Sequence, residues 1–353
     1  MSAKKNKKKS GSKILLGLGI LIIIIMAYIG FYYYRYILSP NVTISGNKKQ
    51  EYVLIPTGSD FNQVLNILSE NNFIRDTTSF KWLAKKMNYS AHVHAGRFLI
   101  KRGMSNYDLV KMLRANANVP LKIVLNIQNT VEGVAGYVGH ELEIDSTEIM
   151  EKLYDQNFLK SNQLTHDNVM TFFIPNTYEF YWNTSLTDFI KKMGREYHKF
   201  WNEAREKKAK KLNLSVTEVT ILASIVEGET KNVKEMPRVA GVYLNRLRMD
   251  MKLEADPTVT WLIKTRKVYR VYKADTEIES PYNTYKYKGL PPGPIGFPEI
   301  HTIDAVLNAE EHHYLYFCAK PDNSGTHNFA RTLDQHLAYA RQFHRYLNKK
   351  KIK

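Results

Sequence analysis

The stretch Ile221-Leu-Ala-Ser-Ile-Val-Glu-Gly-Glu-Thr230 decides how the C-terminal half of this chain folds. Its apolar residues predict a helix over 217–226 that leads into two carboxylates, Glu227 and Glu229. On a helical wheel Glu227 lies at the edge of a broad apolar face. Glu229 points nearly opposite Glu227, closer to the apolar side, if the helix persists. The pattern therefore predicts acidic side chains at the end of a buried helix.

Either glutamate has an ordinary interpretation beside a catalytic one. A carboxyl half-buried against aliphatic neighbours has its charged form disfavoured, so Glu227 could donate a proton near neutrality. A surface glutamate paired with Lys231 or Arg238 gives the same pattern. For Glu229 an ion pair or a structural hydrogen bond is preferred over a direct catalytic role. Because the two point apart, a mechanism with two carboxylates must find its second acid elsewhere in the chain.

Two motifs downstream suit a carbohydrate ligand. The segment Tyr282-Asn-Thr-Tyr285 carries hydroxyl, amide and aromatic groups, which are common in sugar-binding sites, although an exposed aromatic loop would look the same. The segment Gly289-Leu-Pro-Pro-Gly-Pro-Ile295 predicts a rigid loop that could form a groove wall. Together with the two glutamates they point to a polyhydroxylated substrate.

Four other polar residues are candidates with plain structural alternatives. Asn245 and Arg246 end a predicted helix over 233–247, where capping and surface charge are ordinary roles. Asp256 precedes a proline and suits a turn or a helix cap. His327 is a lone histidine without a second histidine at metal-ligand spacing, so a hydrogen-bonding structural role is expected. The sequence predicts neither a metal site nor a cofactor.

Composition narrows the class of protein. The 353 residues are 44% hydrophobic with a net charge of +17, which fits a globular protein beside a polyanion such as nucleic acid, a membrane surface or a wall polymer. No zinc-finger spacing, basic zipper or RNA-binding signature is present, so nucleic acid is not a predicted partner. The single cysteine, Cys318, excludes an intrachain disulfide and is expected to be a small buried residue in a strand.

The N-terminus predicts a membrane anchor. Ile14 to Tyr34 is a run of 21 uncharged residues between Lys13 and Arg35, and such a helix spans about 30 Å. A cleaved signal peptide is the alternative, but the apolar run is long and lacks small residues at a cleavage site. We expect residues 1–13 to be a basic cytoplasmic tail and 14–36 to cross the plasma (inner) membrane once. The remainder then lies on the extracytoplasmic side.

The exported part is predicted to have an α+β fold in two parts. Residues 37–118 follow a strand–helix–helix–strand–helix pattern, with strands at 51–56 and 96–101. Residues 119–353 form the larger α+β domain, with strands at 121–126 and 172–181. Within it, residues 187–212 are long, charged and amphipathic, and we expect one solvated helix there.

Several motifs in order make the chain resemble the endolytic murein transglycosylases of the MltG (YceG-like) family. They are Leu222–Thr230, Val242–Leu247, Met251–Val259, Tyr282–Tyr285, Gly289–Ile295 and Tyr314–Phe317, followed by His327. Ordered motifs over about a hundred residues are far more specific than any one of them. The resemblance extends more weakly over 52–113, which looks like the family's small LysM-like module.

The resemblance implies a membrane-anchored lytic transglycosylase that shortens nascent peptidoglycan strands during wall biogenesis. It would cut the β-1,4 bond between N-acetylmuramic acid and N-acetylglucosamine and leave a 1,6-anhydro end. The matched catalytic position is Glu227. A single carboxyl suffices because no water has to be activated. The candidates for substrate binding are Glu229, Asn245, Arg246, Asp256, Tyr282, Asn283, Thr284, Tyr285 and His327.

Two other functions stay open. The chain could be a non-catalytic peptidoglycan-binding scaffold for wall synthesis, in which Glu227 would have no chemical role. It could also be a hydrolytic muramidase, whose products carry reducing ends instead of anhydro ends. The expected partners are glycan strands, the bilayer at 14–36 and peptidoglycan synthases.

Overall fold

The computed structural model describes residues 7–126, 130–263 and 271–349. The chain divides into two compact units, which are considered separately. Unit 1 comprises Met1–Leu121 with Phe180–Asn183, and unit 2 comprises Lys122–Glu179 with Thr184–Lys353. The fold mixes helices with small two-stranded sheets, which agrees with the α+β prediction.

Unit 1 begins with a long apolar helix. Helix α1 (Lys7–Tyr33) continues into a π-helical turn, Tyr34–Leu38. The segment Lys13–Leu38 has a mean hydropathy of 2.8, and its most apolar window is entirely unburied. It is the one helix among the described residues that is long and apolar enough to cross a membrane. Residues 1–6 of the predicted basic tail lie outside the described residues.

The rest of unit 1 follows the predicted element order. It contains β1 (Gln50–Ile55), α2 (Phe61–Glu70), α3 (Thr77–Lys86), β2 (Gly96–Lys101) and α4 (Asn106–Arg114). The two strands pair antiparallel, from Gln50 opposite Lys101 to Ile55 opposite Gly96. Each helix starts at a residue whose side chain accepts a backbone N–H, namely Asp60, Asp76 and Ser105. Alternate strand residues such as Val53 and Phe98 enter a common core with the helices.

Unit 2 begins with short elements around a small sheet. They are β3 (Leu121–Leu125), α5 (Val131–Glu141), α6 (Ser146–Tyr154), α7 (Gln156–Ser161), a 3₁₀ turn (Val169–Phe172) and β4 (Asn176–Phe180). Strands β3 and β4 pair with each other. The strand is shorter than the predicted 172–181, because Phe172 ends the 3₁₀ turn and residues 173–175 precede the strand without belonging to it.

The predicted single helix over 187–212 is wrong. Two helices occupy this region, α8 (Leu186–Phe200) and α9 (Glu203–Lys211). The side chain of Asn202 accepts a hydrogen bond from Arg205 N and starts a new helix. Trp201, the residue before it, is buried in the core. The helix is interrupted here because the Asn202 cap and the burial of Trp201 stabilise the break more than a continuous helix would.

A central helix organises the second half of unit 2. It is α10 (Val216–Glu229), and around it lie α11 (Met236–Arg248), α12 (Asp256–Leu262) and α13 (Ile300–Leu307). Eight consecutive residues of α10, Val219 to Val226, are buried. Sequence periodicity predicted one broad apolar face, whereas the helix is enclosed on all sides, as a helix without a polar stripe requires.

The chain closes with a hairpin and a long helix. After a 3₁₀ turn (Asp275–Glu277), strands β5 (Tyr316–Ala319) and β6 (His327–Ala330) pair antiparallel, and α14 (Leu333–Lys349) packs on them. The Pro/Gly loop is tied to α10 because Ile295 N donates a hydrogen bond of 3.0 Å to Ser224 Oγ.

Candidate active site

The two glutamates of α10 point to different neighbours. Residues two positions apart on a helix differ in direction by about 200°. Glu227 faces α13, and Glu229 faces α11. The helical wheel therefore predicted their divergence, and the surroundings of each carboxyl show what it can do.

Glu227 is engaged in a structural contact with α13. Its Oε2 accepts hydrogen bonds from Glu299 N at 2.7 Å and from Thr302 Oγ1 at 2.9 Å. Glu299 is the N-cap residue of α13 and has no side-chain cap of its own. The carboxylate of Glu227 thus caps the helix from outside, where the helix dipole favours a negative charge. Lys231 Nζ lies 3.6 Å from Oε1.

Glu229 lines a cavity of about 440 Å³. Its Oε1 accepts a hydrogen bond of 2.5 Å from the hydroxyl of Tyr243, which is 2% exposed. The cavity walls come from α10, α11, the start of α12, the Tyr285 loop, β5 and α14. The lining residues are Glu229, Tyr243, Arg246, Leu253, Glu254, Asp256, Tyr285, Leu315, Tyr316, Phe317, Leu333, His336 and Leu337.

The cavity holds Glu229 partly protonated at neutral pH. Burial disfavours its charged form and raises the pKa of Glu229 to about 7, and the neighbouring Asp256 charge acts in the same direction. The hydrogen bond from Tyr243 and the charge of Arg246 oppose this rise. A carboxyl with a pKa near the working pH can both give and take a proton.

A second carboxylate shares the cavity. Asp256 Oδ1 accepts a hydrogen bond of 2.5 Å from the hydroxyl of Tyr285. Burial and the Asp256 contact raise the pKa of Tyr285 well above its usual range, so the phenol keeps its proton. The pair is held by Thr284, whose Oγ1 lies 2.9 Å from Thr258 Oγ1 and accepts from Ala255 N. Asp256 is thereby fixed at the start of α12.

Arg246 is a structural part of the cavity wall. Its Nε donates to Leu315 O at 2.7 Å, and its Nη1 donates to Leu253 O at 3.0 Å and to Glu254 Oε2 at 2.9 Å. The side chain is 7% exposed, and these acceptors satisfy its buried N–H groups. Arg246 thus fixes the loop before α12 to β5 and adds positive charge beside Glu229.

Five other predicted candidates lie outside the cavity lining. The Nδ2 of Asn245 donates to His312 O and Tyr314 O. Asn283 is 0% exposed and donates to Thr276 O and Ile278 O. Thr284 is 2% exposed, and its hydroxyl accepts a hydrogen bond from Ala255 N in the loop before Asp256. Their polar atoms are satisfied inside the protein, so they shape the loops around the site.

Tyr282 and His327 complete this group. Tyr282 stacks on Trp261 with ring centroids 4.4 Å apart. His327 Nδ1 lies 3.0 Å from Glu235 Oε2, and its backbone N donates to Glu235 Oε1. These contacts join the start of β6 to the start of α11.

The structure thus brings together four predicted candidates and leaves six outside. Glu229, Arg246, Asp256 and Tyr285 share the cavity, and Glu227 is on another side of α10. Sequence reasoning missed Tyr243, Tyr316, Phe317 and His336. The first three belong to motifs that carried the family resemblance, which was a usable signal, whereas nothing in the sequence marked His336.

Within the ranges 7–126, 130–263 and 271–349, no group of three or more histidine, cysteine, aspartate or glutamate side chains is placed to hold a metal ion. The cavity carboxylates are instead paired with tyrosine hydroxyls and Arg246.

Comparisons of the sequence and of the structure with known proteins all point to the same family. The sequence pattern of the YceG-like family matches residues 53–342. An endolytic murein transglycosylase of Bacillus subtilis is 30% identical over 298 residues, which cover 80% of this chain and 81% of that protein. One of Streptococcus pneumoniae is 27% identical over 326 residues, covering 82% of this chain and 58% of that protein.

A solved structure extends the similarity to the fold. The crystal structure of a yceG-like protein from Listeria monocytogenes aligns with a TM-score of 0.54 and 28% sequence identity. The alignment covers 83% of this chain and 99% of that one. The matched region includes every residue that lines the Glu229 cavity, since these fall within residues 53–342.

Proposed function

Because the chain belongs to the YceG-like family, we propose that it is an endolytic murein transglycosylase. It cuts the β-1,4 bond between N-acetylmuramic acid and N-acetylglucosamine inside glycan strands, without water, and leaves a 1,6-anhydro end. The names of its relatives support the reaction class. The proposal for this chain depends on one observation: the carboxyl of Glu229, hydrogen-bonded to Tyr243, lines a cavity together with Arg246, Asp256 and Tyr285, and burial there raises its pKa to about 7.

We assign the acid to Glu229 instead of Glu227. The protonated carboxyl of Glu229 gives its proton to the glycosidic oxygen, the C1–O bond breaks, and the electron pair stays on the departing oxygen. The resulting carboxylate takes the proton of the muramyl C6 hydroxyl while O6 bonds to C1. Glu229 ends protonated as it began, so the cycle closes without a second acid.

The neighbours of Glu229 suit these two proton transfers. Tyr243 donates to Oε1 and leaves Oε2 as the oxygen that carries the acidic proton. Asp256, fixed by Tyr285, offers negative charge in the same cavity, where positive charge develops on the sugar ring as the bond breaks. Glu227 lacks such an environment because its Oε2 is occupied by two donors of α13.

A hydrolytic muramidase remains a second candidate because of Asp256. Two carboxylates in one cavity, one of them protonated, are also what a hydrolase uses, with the second activating water or attacking C1. The products of the transglycosylase and the hydrolase differ by one water molecule. A scaffold without activity has less support, since a pKa of about 7 at Glu229 is poorly explained by a purely structural role.

The test is product analysis on purified peptidoglycan sacculi with the full chain in detergent. We expect fragments with 1,6-anhydro ends from the wild type and from E227Q, and none from E229Q. Loss of product in E227Q with retention in E229Q would return the acid to Glu227. Reducing ends in place of anhydro ends would identify the hydrolase, and no product from any form would favour the scaffold.

The remaining features fit a protein at the outer face of a membrane. We propose that residues 14–36 span the plasma membrane once, with the lysine-rich tail at 1–13 in the cytoplasm. We further propose that 37–118 form a LysM-like module, that 119–353 form the catalytic domain, and that peptidoglycan synthases are partners. Protease added to cells stripped of their wall should digest unit 2, and its full protection would contradict this orientation.

A further inference from the structure

One face of α14 forms a wall of the Glu229 cavity. Leu333, His336 and Leu337 are spaced at i, i+3 and i+4, which places them on the same side of the helix. All three line the cavity, and both leucines are exposed, at 52% and 42%. The last helix of unit 2 thus brings an imidazole into the same space as the acid on α10.

The ring of His336 is held in a defined orientation. It stacks on Tyr316 with centroids 5.3 Å apart and an angle of 24° between the planes. The guanidinium carbon of Arg246 lies 4.9 Å from the centroid of the same tyrosine ring. The Nδ1 of His336 is buried and has no hydrogen-bond partner among the described residues. Because Nδ1 is buried, Nε2 is the ring nitrogen that is left to contact a ligand in the cavity.

The surroundings also decide which nitrogen carries the hydrogen. Burial lowers the pKa of His336, the charge of Arg246 lowers it further, and the charge of Glu254 opposes both, so the neutral form of the ring is favoured. A neutral imidazole has one N–H and one bare nitrogen. Buried N–H groups without an acceptor are rarer than buried acceptors without a donor. The unpartnered, buried Nδ1 therefore favours the tautomer with its hydrogen on Nε2.

We propose that His336 is a substrate-contacting residue whose Nε2–H donates a hydrogen bond to an oxygen of the bound glycan. The acceptor is a sugar hydroxyl or an acetamido carbonyl. Glu254 and Asp256 present acceptor oxygens to the cavity. The donors of Tyr243, Tyr285 and Arg246 are used on protein groups, and the proton of Glu229 goes to the glycosidic oxygen. A donor from α14 complements them, because a sugar presents oxygens that both donate and accept. This inference rests on the proposed function.

Two substitutions separate hydrogen bonding from ring packing. H336F keeps an aromatic ring that can stack on Tyr316 and removes the donor. H336Q removes the ring, but its amide nitrogen can reach the position of Nε2. We expect H336F to lower kcat/KM for anhydro-end release at least tenfold, with most of the change in KM, and H336Q to stay within about threefold of wild type. Thermal unfolding of each variant shows whether it is folded.

Binding gives a readout that does not depend on cleavage. Soluble, uncross-linked glycan strands are titrated against E229Q and against E229Q/H336F, and the second protein should bind about tenfold more weakly. If neither the wild type nor E227Q cleaves but E229Q still binds, the proposed function fails and the His336 contact is still measured. Equal affinity of the two proteins, equal activity of H336F and wild type, or no glycan binding by E229Q would overturn the proposal for His336.

Discussion

Tyr243 donates a hydrogen bond of 2.5 Å to Oε1 of Glu229, and the two residues lie on consecutive helices of unit 2. The tyrosine is buried, and its own pKa is raised well above the usual value by burial and by the neighbouring carboxylate. It therefore remains a donor over the whole working pH range. The bond favours the charged form of Glu229 and so limits the rise of its pKa.

Replacing Tyr243 by phenylalanine should raise the pKa of Glu229 further. The catalytic acid must be protonated, so activity falls as the pH rises through its pKa. In Y243F this alkaline limb of the kcat/KM profile is expected to move to higher pH. Y178F is the matched control, because Tyr178 is also buried and donates to Ile174 O, outside the cavity. An unmoved limb in Y243F would show that the hydrogen bond does not tune Glu229.

Glu227 and Thr302 are predicted to act together in stability. Hydrogen bonds to a charged group contribute about 1.5–3 kcal/mol, so E227A should lower the free energy of unfolding by about 2 kcal/mol. T302V removes one of the two donors to Glu227 and should lower the free energy of unfolding by less than E227A does. A double-mutant cycle by urea unfolding should give a coupling energy of about 1 kcal/mol, whereas strictly additive losses would mean that the contact is not formed. Anhydro-end release per folded molecule should stay near wild type in E227A.

Gly293 is required by a close approach of two backbones. A Cβ at this position would lie 1.9 Å from Asp167 O, and neither backbone can move away cheaply. G293A should therefore destabilise the protein by at least about 2 kcal/mol and weaken the tie between the Pro/Gly loop and Ser224. Gly136 on α5 has nothing within 4 Å of an added Cβ, so G136A should stabilise slightly. Equal melting temperatures for G293A and wild type would contradict this account.

The sequence was sufficient to predict the local elements around the site. The apolar run of α10 follows from nearby residues, and a helical wheel separated Glu227 from Glu229. The sequence could not show which of the two glutamates faces a cavity. That depends on β5 and α14, more than 80 residues away in the chain, whose positions are set by packing.

The polar motif at 282–285 illustrates a second limit. Its residue types suit sugar contact, but Asn283 and Thr284 satisfy their polar atoms with the backbone and with Thr258. A sequence gives the donors and acceptors of a residue but not their partners. Tyr285, from the same motif, does reach the cavity. The break between α8 and α9 is comparable, since burial of Trp201 depends on the rest of unit 2.

The raised pKa of Glu229 also predicts how stability depends on pH. The folded protein holds this proton up to pH about 7, whereas the unfolded chain releases it near 4.5. Between these pH values the folded state binds more protons than the unfolded chain, so the free energy of unfolding falls as the pH rises. Above pH 7 the full loss of stability from ionising Glu229 is present. A pKa difference of this size corresponds to about 3 kcal/mol.

E229Q avoids that cost because glutamine stays neutral. Its free energy of unfolding should exceed that of the wild type by about 2–3 kcal/mol at pH 8 and equal it at pH 4.5, measured by urea unfolding of the full chain in detergent. E227Q is the control of opposite sign, since it weakens a charged cap and should be less stable than wild type at pH 8. A gap between E229Q and wild type that is the same at both pH values would mean that Glu229 ionises as in water. The inactive variant is expected to be the more stable one because the cavity that makes Glu229 an acid also disfavours its carboxylate.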